Sequence, residues 1–236
     1  MARITRKDLK TDKFALEVEH TVDFFEEHRR EVLRYGAIAL AVVLAILALW
    51  SWRRHQQAAR GEALAQAIQV QEAPISGAAP PPGSGMITFP TQQAKDQAAQ
   101  KEFGAVASKY SGSGEGLIAE YYLASIAADQ GKIQDAEKRF KQVADSGEDR
   151  YASLAKLALA RIYFATGRAA EGEKLLRGLI EKPTIFVSKE EAAIALARQL
   201  ALTKPAEARK LLDPLRTSRP AVSQVAIQLY SELAQQ

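Results

Sequence analysis

The residues able to do chemistry in this 236-residue chain are few and poorly spaced for it. His20, His28 and His55 are its only histidines, so every imidazole that could move a proton or hold a metal lies in the first quarter. There is no cysteine, which excludes disulfides, a thiol nucleophile, Cys-ligated zinc or cluster sites and a lipid-modified amino-terminal cysteine. Residues 112–116 (GSGEG) are glycine-rich, but no strand-like run precedes them and no Lys-Ser/Thr follows. A turn between helices, with Gly112 and Gly114 free to take positive φ, is therefore expected in place of a phosphate cradle. No HExxH, EF-hand or Gly-x-Ser-x-Gly spacing occurs, and acid pairs such as Glu26–Glu27 and Glu190–Glu191 read as solvated helical faces. The net charge of +4 is spread thinly among interleaved acids, without an aromatic-bearing basic stripe, which argues against nucleic acid. The expectation is a binding protein and not an enzyme: no catalytic residue, no metal, no cofactor and no small-molecule substrate.

Binding surfaces need a scaffold, and the composition points to helices: 47% hydrophobic residues but only 7% aromatic, rich in Ala and Leu. From Tyr35 to Trp52 the chain reads YGAIALAVVLAILALWSW, without a charge. Eighteen residues at about 1.5 Å each make roughly 27 Å of helix, close to the roughly 30 Å hydrocarbon thickness of a bilayer. Tyr35 stands at one end and Trp50 and Trp52 at the other, where amphipathic rings favour the interface. The charged stretch ahead of this run, and the bulky WSWRR behind it, speak for a retained single-pass anchor and against a cleaved signal peptide. Residues 1–34 form a separate tail. Within twenty residues of the span, Arg29, Arg30 and Arg34 balance Arg53, Arg54 and Arg60. The eight Lys and Arg of the whole tail tip the balance towards an inside amino terminus. In the tail, Thr11 could cap a helix that places Phe14, Val18, Val22 and Phe25 together. Three uses stay open for it: an interfacial helix on the inner leaflet, a partner-docking surface, or a solvated lead into the span.

Residues 53–236 form the expected main domain. Its first helix, over 53–72, places Ala63, Ala67 and Val70 on one side, and the Pro-, Gly- and Ser-rich residues 73–90 form a flexible loop. Beyond Thr91 the pattern is helical, with breaks at 111–116, 131, 146–148, 167, 182–184, 204–205 and 218–220, and no convincing strand. The fold class is all-α. A step of 36 residues runs through the breaks: Gly131, Gly167 and Thr203; Leu123, Leu159 and Ala195; Ala124, Ala160 and Leu196. Ala136, Gly172 and Ala208 stay small, Phe140, Leu176 and Leu212 large, and Val143, Leu179 and Leu215 aliphatic. Ala99, Phe103 and Val106 repeat the last three as an earlier half-unit. Each unit is a helix, a tight turn and a second helix; no hairpin can bury its apolar face alone, so the units stack as a solenoid. A last helix, 221–234, should bury Val222, Val225, Leu229 and Leu233 as a cap.

LASIAADQGKIQDAEKRF (123–140) and LARIYFATGRAAEGEKLL (159–176) resemble tetratricopeptide repeats, with Ala127 for the usual Tyr in the first and Gly172 and Leu176 for the usual Ala and aromatic in the second. With FFEEHRREVLRYG, the single span and residues 98–143, nearly the whole chain resembles the bacterial tetratricopeptide-like inner-membrane family that includes the ancillary subunit of the Sec translocon. That resemblance implies a cytoplasmic tail, a periplasmic carboxy-terminal domain, and as partners translocon subunits, exported chains or periplasmic chaperones. If units stack as in that family, first helices line the inner face, which assigns Tyr121, Ser125, Asp129, Arg161 and Phe164 to a partner-binding groove. For Phe164 the alternative is packing on a neighbouring helix, and for Arg161 plain solvation. The expected function is a membrane-tethered helical-repeat scaffold that binds proteins. The alternative is a self-associating structural component of envelope biogenesis or cell division.

Overall fold

The computed structural model describes residues 29–76, 86–147 and 149–234. The tail helix expected around Phe14–Phe25, and the middle of the 73–90 loop, lie outside the described residues. The chain divides into two units, Met1–Ala59 and Arg60–Gln236.

The first unit holds the start of helix α1 (Arg29–Glu72). Its Leu33, Tyr35, Ile38, Leu44, Leu47, Trp50 and Trp52 are all exposed. By length and composition this helix is long and apolar enough to cross a membrane. Helix 53–72 is not a separate element, because no proline or glycine lies between Ala37 and Arg60 to interrupt α1. The helix stops ahead of Pro74, where the residue before a proline is pushed out of the α region.

The second unit begins with α1 residues 60–72 paired against α2 (Gln92–Lys109). Three further hairpins follow: α3 (Gly114–Asp129) with α4 (Ile133–Ala144), α5 (Asp149–Ala165) with α6 (Ala169–Glu181), and α7 (Lys189–Leu200) with α8 (Pro205–Leu212). A short 3-10 turn, Asp213–Leu215, leads to α9 (Pro220–Ala234). Among the described residues the only β-type pairing is one parallel bridge between Ile75 and Phe89, which draws together the two ends of the loop.

Local chemistry explains the starts and stops. Thr91, Ser113 and Ser188 each accept a hydrogen bond from a backbone N–H in the first turn of α2, α3 and α7, at 3.1 Å in every case. Helices α4, α6 and α8 begin at Lys132, Arg168 and Lys204 without such a cap. Each instead carries a carboxylate in its first turn, Asp135, Glu171 or Glu207, spaced 36 residues apart, where the helix dipole favours negative charge. At Gly131 and Gly167 φ is 73° and 78°, and the next N–H reaches back five residues, Lys132 to Ala127 (2.8 Å) and Arg168 to Tyr163 (2.7 Å). That glycine-dependent closure satisfies the last carbonyls of α3 and α5. The third turn has Thr203, whose branched side chain disfavours left-handed backbone; Lys204 donates to Leu200 instead, at 2.8 Å. Gly112 takes positive φ as expected, whereas Gly114 opens α3. Gly116 lies buried inside α3, where an added Cβ would stand 2.3 Å from the Tyr110 carbonyl oxygen.

The core lies between hairpins. One apolar cluster joins Leu64 and Ala67 of α1 to Phe103 and Val106 of α2 and Ala119 and Ile126 of α3. The next takes Ala124 from α3, Ala136, Phe140 and Val143 from α4, and Leu159 and Tyr163 from α5. The third runs from Leu157 and Ala160 through Leu176, Leu196 and Leu212 to Leu233. Of the positions read from the 36-residue step, Ala124, Ala160 and Leu196, Ala136, Gly172 and Ala208, and Phe140, Leu176 and Leu212 are buried, whereas Leu123 and Ala195 are half-buried. In α9 the expectation needs correcting: the helix starts at Pro220, Ala226 and Leu233 are buried, and Val222, Val225 and Leu229 are half-buried at the open end of the stack.

Candidate partner-binding groove

Helix α3 carries Tyr121 and Ser125 one turn apart, so both side chains share a face. Helix α5 packs directly on α3 and brings the exposed Arg161 alongside. Burial raises the Tyr121 phenol above its usual range, and the side-chain hydrogen bond with Ser125 and the Arg161 guanidinium oppose that rise. The α3 face thus carries a half-buried phenol and a hydroxyl, and the helix packed on it carries a cation. Such a group can accept and donate hydrogen bonds while its ring offers apolar area.

Tyr121 is also the hub of an aromatic cluster. Its ring meets Tyr151 of α5 at 5.4 Å, Phe140 of α4 at 5.6 Å and Tyr122 at 5.8 Å, all edge-on. Tyr122 stacks on Phe103 of α2 at 4.6 Å, and Tyr151 meets Phe186, in the loop after α6, at 5.5 Å. Aromatic contacts thus run from the first hairpin to the loop beyond the third. Edge-on and offset pairs of this kind each add about 0.5–1.5 kcal/mol beyond area burial.

The other two residues assigned to the groove sit elsewhere. Asp129 is exposed at the last position of α3. Phe164 is half-buried and packs on the cluster of Leu157, Leu176 and Leu196. Its ring fills the space over Gly172, where an added Cβ would lie 2.7 Å from Phe164 Cδ2 and Cε2.

Sequence reasoning missed Tyr122, Tyr151 and Phe186, whose spacings do not follow the 36-residue step. It also missed a repeating ionic clamp that does. Glu137 of α4 accepts from Arg168 at the next turn (2.8 Å) and pairs with Lys141 on its own helix (2.7 Å). Thirty-six residues on, Glu173 of α6 accepts from Lys204 (2.9 Å) and from Arg177 (2.7 Å), and Arg177 also reaches Glu207. Between the first and second hairpins the link is an amide pair, Gln100 to Gln130 at 3.1 Å. The Arg168 and Lys141 hydrogen bonds hold the Glu137 carboxyl down at about 2, and Arg177 and then Lys204 lower that of Glu173. Arg168 further lies 4.3 Å from the centre of the buried Tyr163 ring. The clamp ties α4 to the turn between α5 and α6, and α6 to the turn between α7 and α8.

Residues 24–209 match the family model described as a tetratricopeptide repeat-like domain. A solved structure described as TPR-like repeats of a kinesin light chain from Podosopora anserina is similar at 19% identity and a TM-score of 0.52, over 61% of this chain and 79% of that one. At that identity the likeness speaks to the fold alone. No curated protein matches the chain at a significant level.

Proposed function

Because the chain belongs to the tetratricopeptide repeat-like domain family, whose repeats bind proteins, we propose that it is a membrane-anchored scaffold that holds a partner chain against the Tyr121–Ser125–Arg161 group. In this reading residues 35–52 cross the bilayer, the amino terminus is cytoplasmic and the carboxy-terminal domain lies in the periplasm. The partners are translocon subunits, exported chains or the periplasmic chaperones that receive them. The observation that carries it is the meeting of α3 and α5, where an open aromatic cluster is joined to a hydroxyl and an exposed guanidinium. Tyr and Arg are the residue types that most often anchor protein interfaces. Asp129 and Phe164 belong to this reading only as flanking positions, the one exposed at the end of α3 and the other packed over Gly172. The anchor supplies the rest of the mechanism: confining a weak site to a membrane surface raises its effective concentration beside the machinery there.

Two measurements test it. Binding of an unfolded exported polypeptide to the purified full chain should weaken roughly tenfold on Tyr121→Ala or Arg161→Ala, a loss of about 1.4 kcal/mol. Affinity in both variants equal to that of the parent chain removes the groove. A reporter fused to the carboxy terminus should be active only if its enzyme functions outside the cytosol; activity of a cytosol-only reporter reverses the topology.

A further inference from the structure

The loop between α6 and α7 reaches the aromatic cluster from behind and is itself tied down on both sides of Phe186. Thr184 Oγ1 accepts from the N–H groups of Phe186 (3.3 Å) and Val187 (3.1 Å), and the Thr184 N–H donates to the Val187 carbonyl (2.9 Å). The hydroxyl of the buried Ser153, near the start of α5, donates to the Arg150 carbonyl (2.6 Å). Its oxygen is left to accept from the Thr184 hydroxyl (2.8 Å). Val187 is fully buried in the third apolar cluster. Phe186 lies between these two fixed points, and its edge-on partner is Tyr151, two positions before Ser153. The loop therefore grips the start of α5 twice, once by a hydrogen bond and once by a ring.

Phe186 is 39% exposed, so enclosure alone does not fix its ring. The backbone on either side does so instead, because Thr184 binds the Phe186 and Val187 amides together. Tyr151 is held between Phe186 on one side and Tyr121 on the other. We propose that Thr184 and Ser153 are positioning residues for the partner-binding group on α3. Their hydrogen bond seats Phe186 against Tyr151, and Tyr151 in turn sets the lie of the Tyr121 ring. This rests on the reading of Tyr121 as a binding residue and concerns only what stands behind it. Ser153 is buried beyond the reach of a partner, so it acts through the loop. A ring braced in this way has less freedom left to lose when a partner binds.

Thr184→Val keeps the shape of the side chain and removes its hydroxyl, whereas Thr184→Ser keeps the hydroxyl. Binding of an unfolded exported polypeptide to the purified full chain should weaken at least about threefold in Thr184→Val and stay at the parent value in Thr184→Ser. Ser153→Ala cuts the same bond from the other side and suits a helix, so it should weaken binding as well. In a Phe186→Ala chain, Thr184→Val should weaken binding no further, because the route through the ring is already gone. An equal further weakening in that background overturns the route, since a general loss of stability would act without Phe186. A Thr184→Ser chain as weak as Thr184→Val overturns the role of the hydroxyl. Parent-like binding in Thr184→Val and Ser153→Ala, with Tyr121→Ala weakened, overturns the positioning role and leaves the groove standing. Parent-like binding in Tyr121→Ala overturns both.

Discussion

The second and third hairpins place the same backbone around different side chains. In the α3–α4 hairpin the facing positions are Ala128 and Ala136, with Phe140 one turn further along α4. In the α5–α6 hairpin, 36 residues on, they are Phe164 and Gly172, followed by Leu176. The ring beside these facing positions comes from the second helix in the first case and from the first helix in the other. Gly172 is the condition for that exchange, since even a methyl group there would press on Phe164 at 2.7 Å and on the Ala160 carbonyl oxygen at 3.0 Å. The α7–α8 hairpin does without a ring, pairing Leu200 with Ala208 and Leu212. What repeats every 36 residues is the volume that must be filled between hairpins, and the residue that fills it varies.

Truncating each ring measures the exchange. Phe140→Ala should cost about 3–5 kcal/mol in urea unfolding, because the ring is fully enclosed between hairpins. A loss near zero would mean that the second hairpin does not rely on it. Gly172→Ala pits a helix-propensity gain of about 1 kcal/mol against overpacking of about 1–3 kcal/mol, for a net loss of about 1 kcal/mol. In a Phe164→Ala background the same change should become stabilising by about 0.5–1 kcal/mol. An unchanged sign in that double-mutant cycle would separate Gly172 from Phe164.

The smallest expected effect concerns the ionic clamp shared by the two hairpins. The folded carboxyl of Glu137 sits at about 2, below the roughly 4.3 of an unfolded glutamate. Its contribution is therefore complete above the unfolded value and is lost as pH falls towards 2. The partners Arg168 and Lys141 are substantially exposed, so screening keeps the contribution small. Unfolding midpoints at pH 6 and pH 3 should show that loss in the parent chain and a smaller one in Glu137→Gln. Identical slopes in both chains would remove the clamp from the stability of the junction.

The sequence carries the repeat wherever the 36-residue step survives in residue size: Ala136, Phe140 and Val143 and their successors are buried where the step puts them. Glu137 and Glu173, with Lys141 and Arg177, obey the same step, and charge periodicity would have disclosed the clamp. The first hairpin is harder to read. Its opening helix is the end of α1, and residues 73–91 stand where the later hairpins have turns of a few residues, so the register is lost before Ala99. Of the groove residues, Tyr121 and Ser125 share a face of α3, and Arg161 stands exposed on α5, the helix that touches it. Phe164 follows the core because its neighbour across the hairpin is a glycine, a pairing that helical periodicity alone does not reveal. Tyr151 and Phe186 join the cluster through a helix start and a loop, where no period applies.

Each apolar cluster borrows side chains from both neighbouring hairpins, so no layer can melt alone without stripping the next. Fraying should then advance like a zipper from α9, whose end position leaves Val222 and Leu229 half-covered. Amide protons would exchange first in α9 and α8 and last in α4 and α5, which keeps the Tyr121 neighbourhood assembled while the tip of the stack breathes.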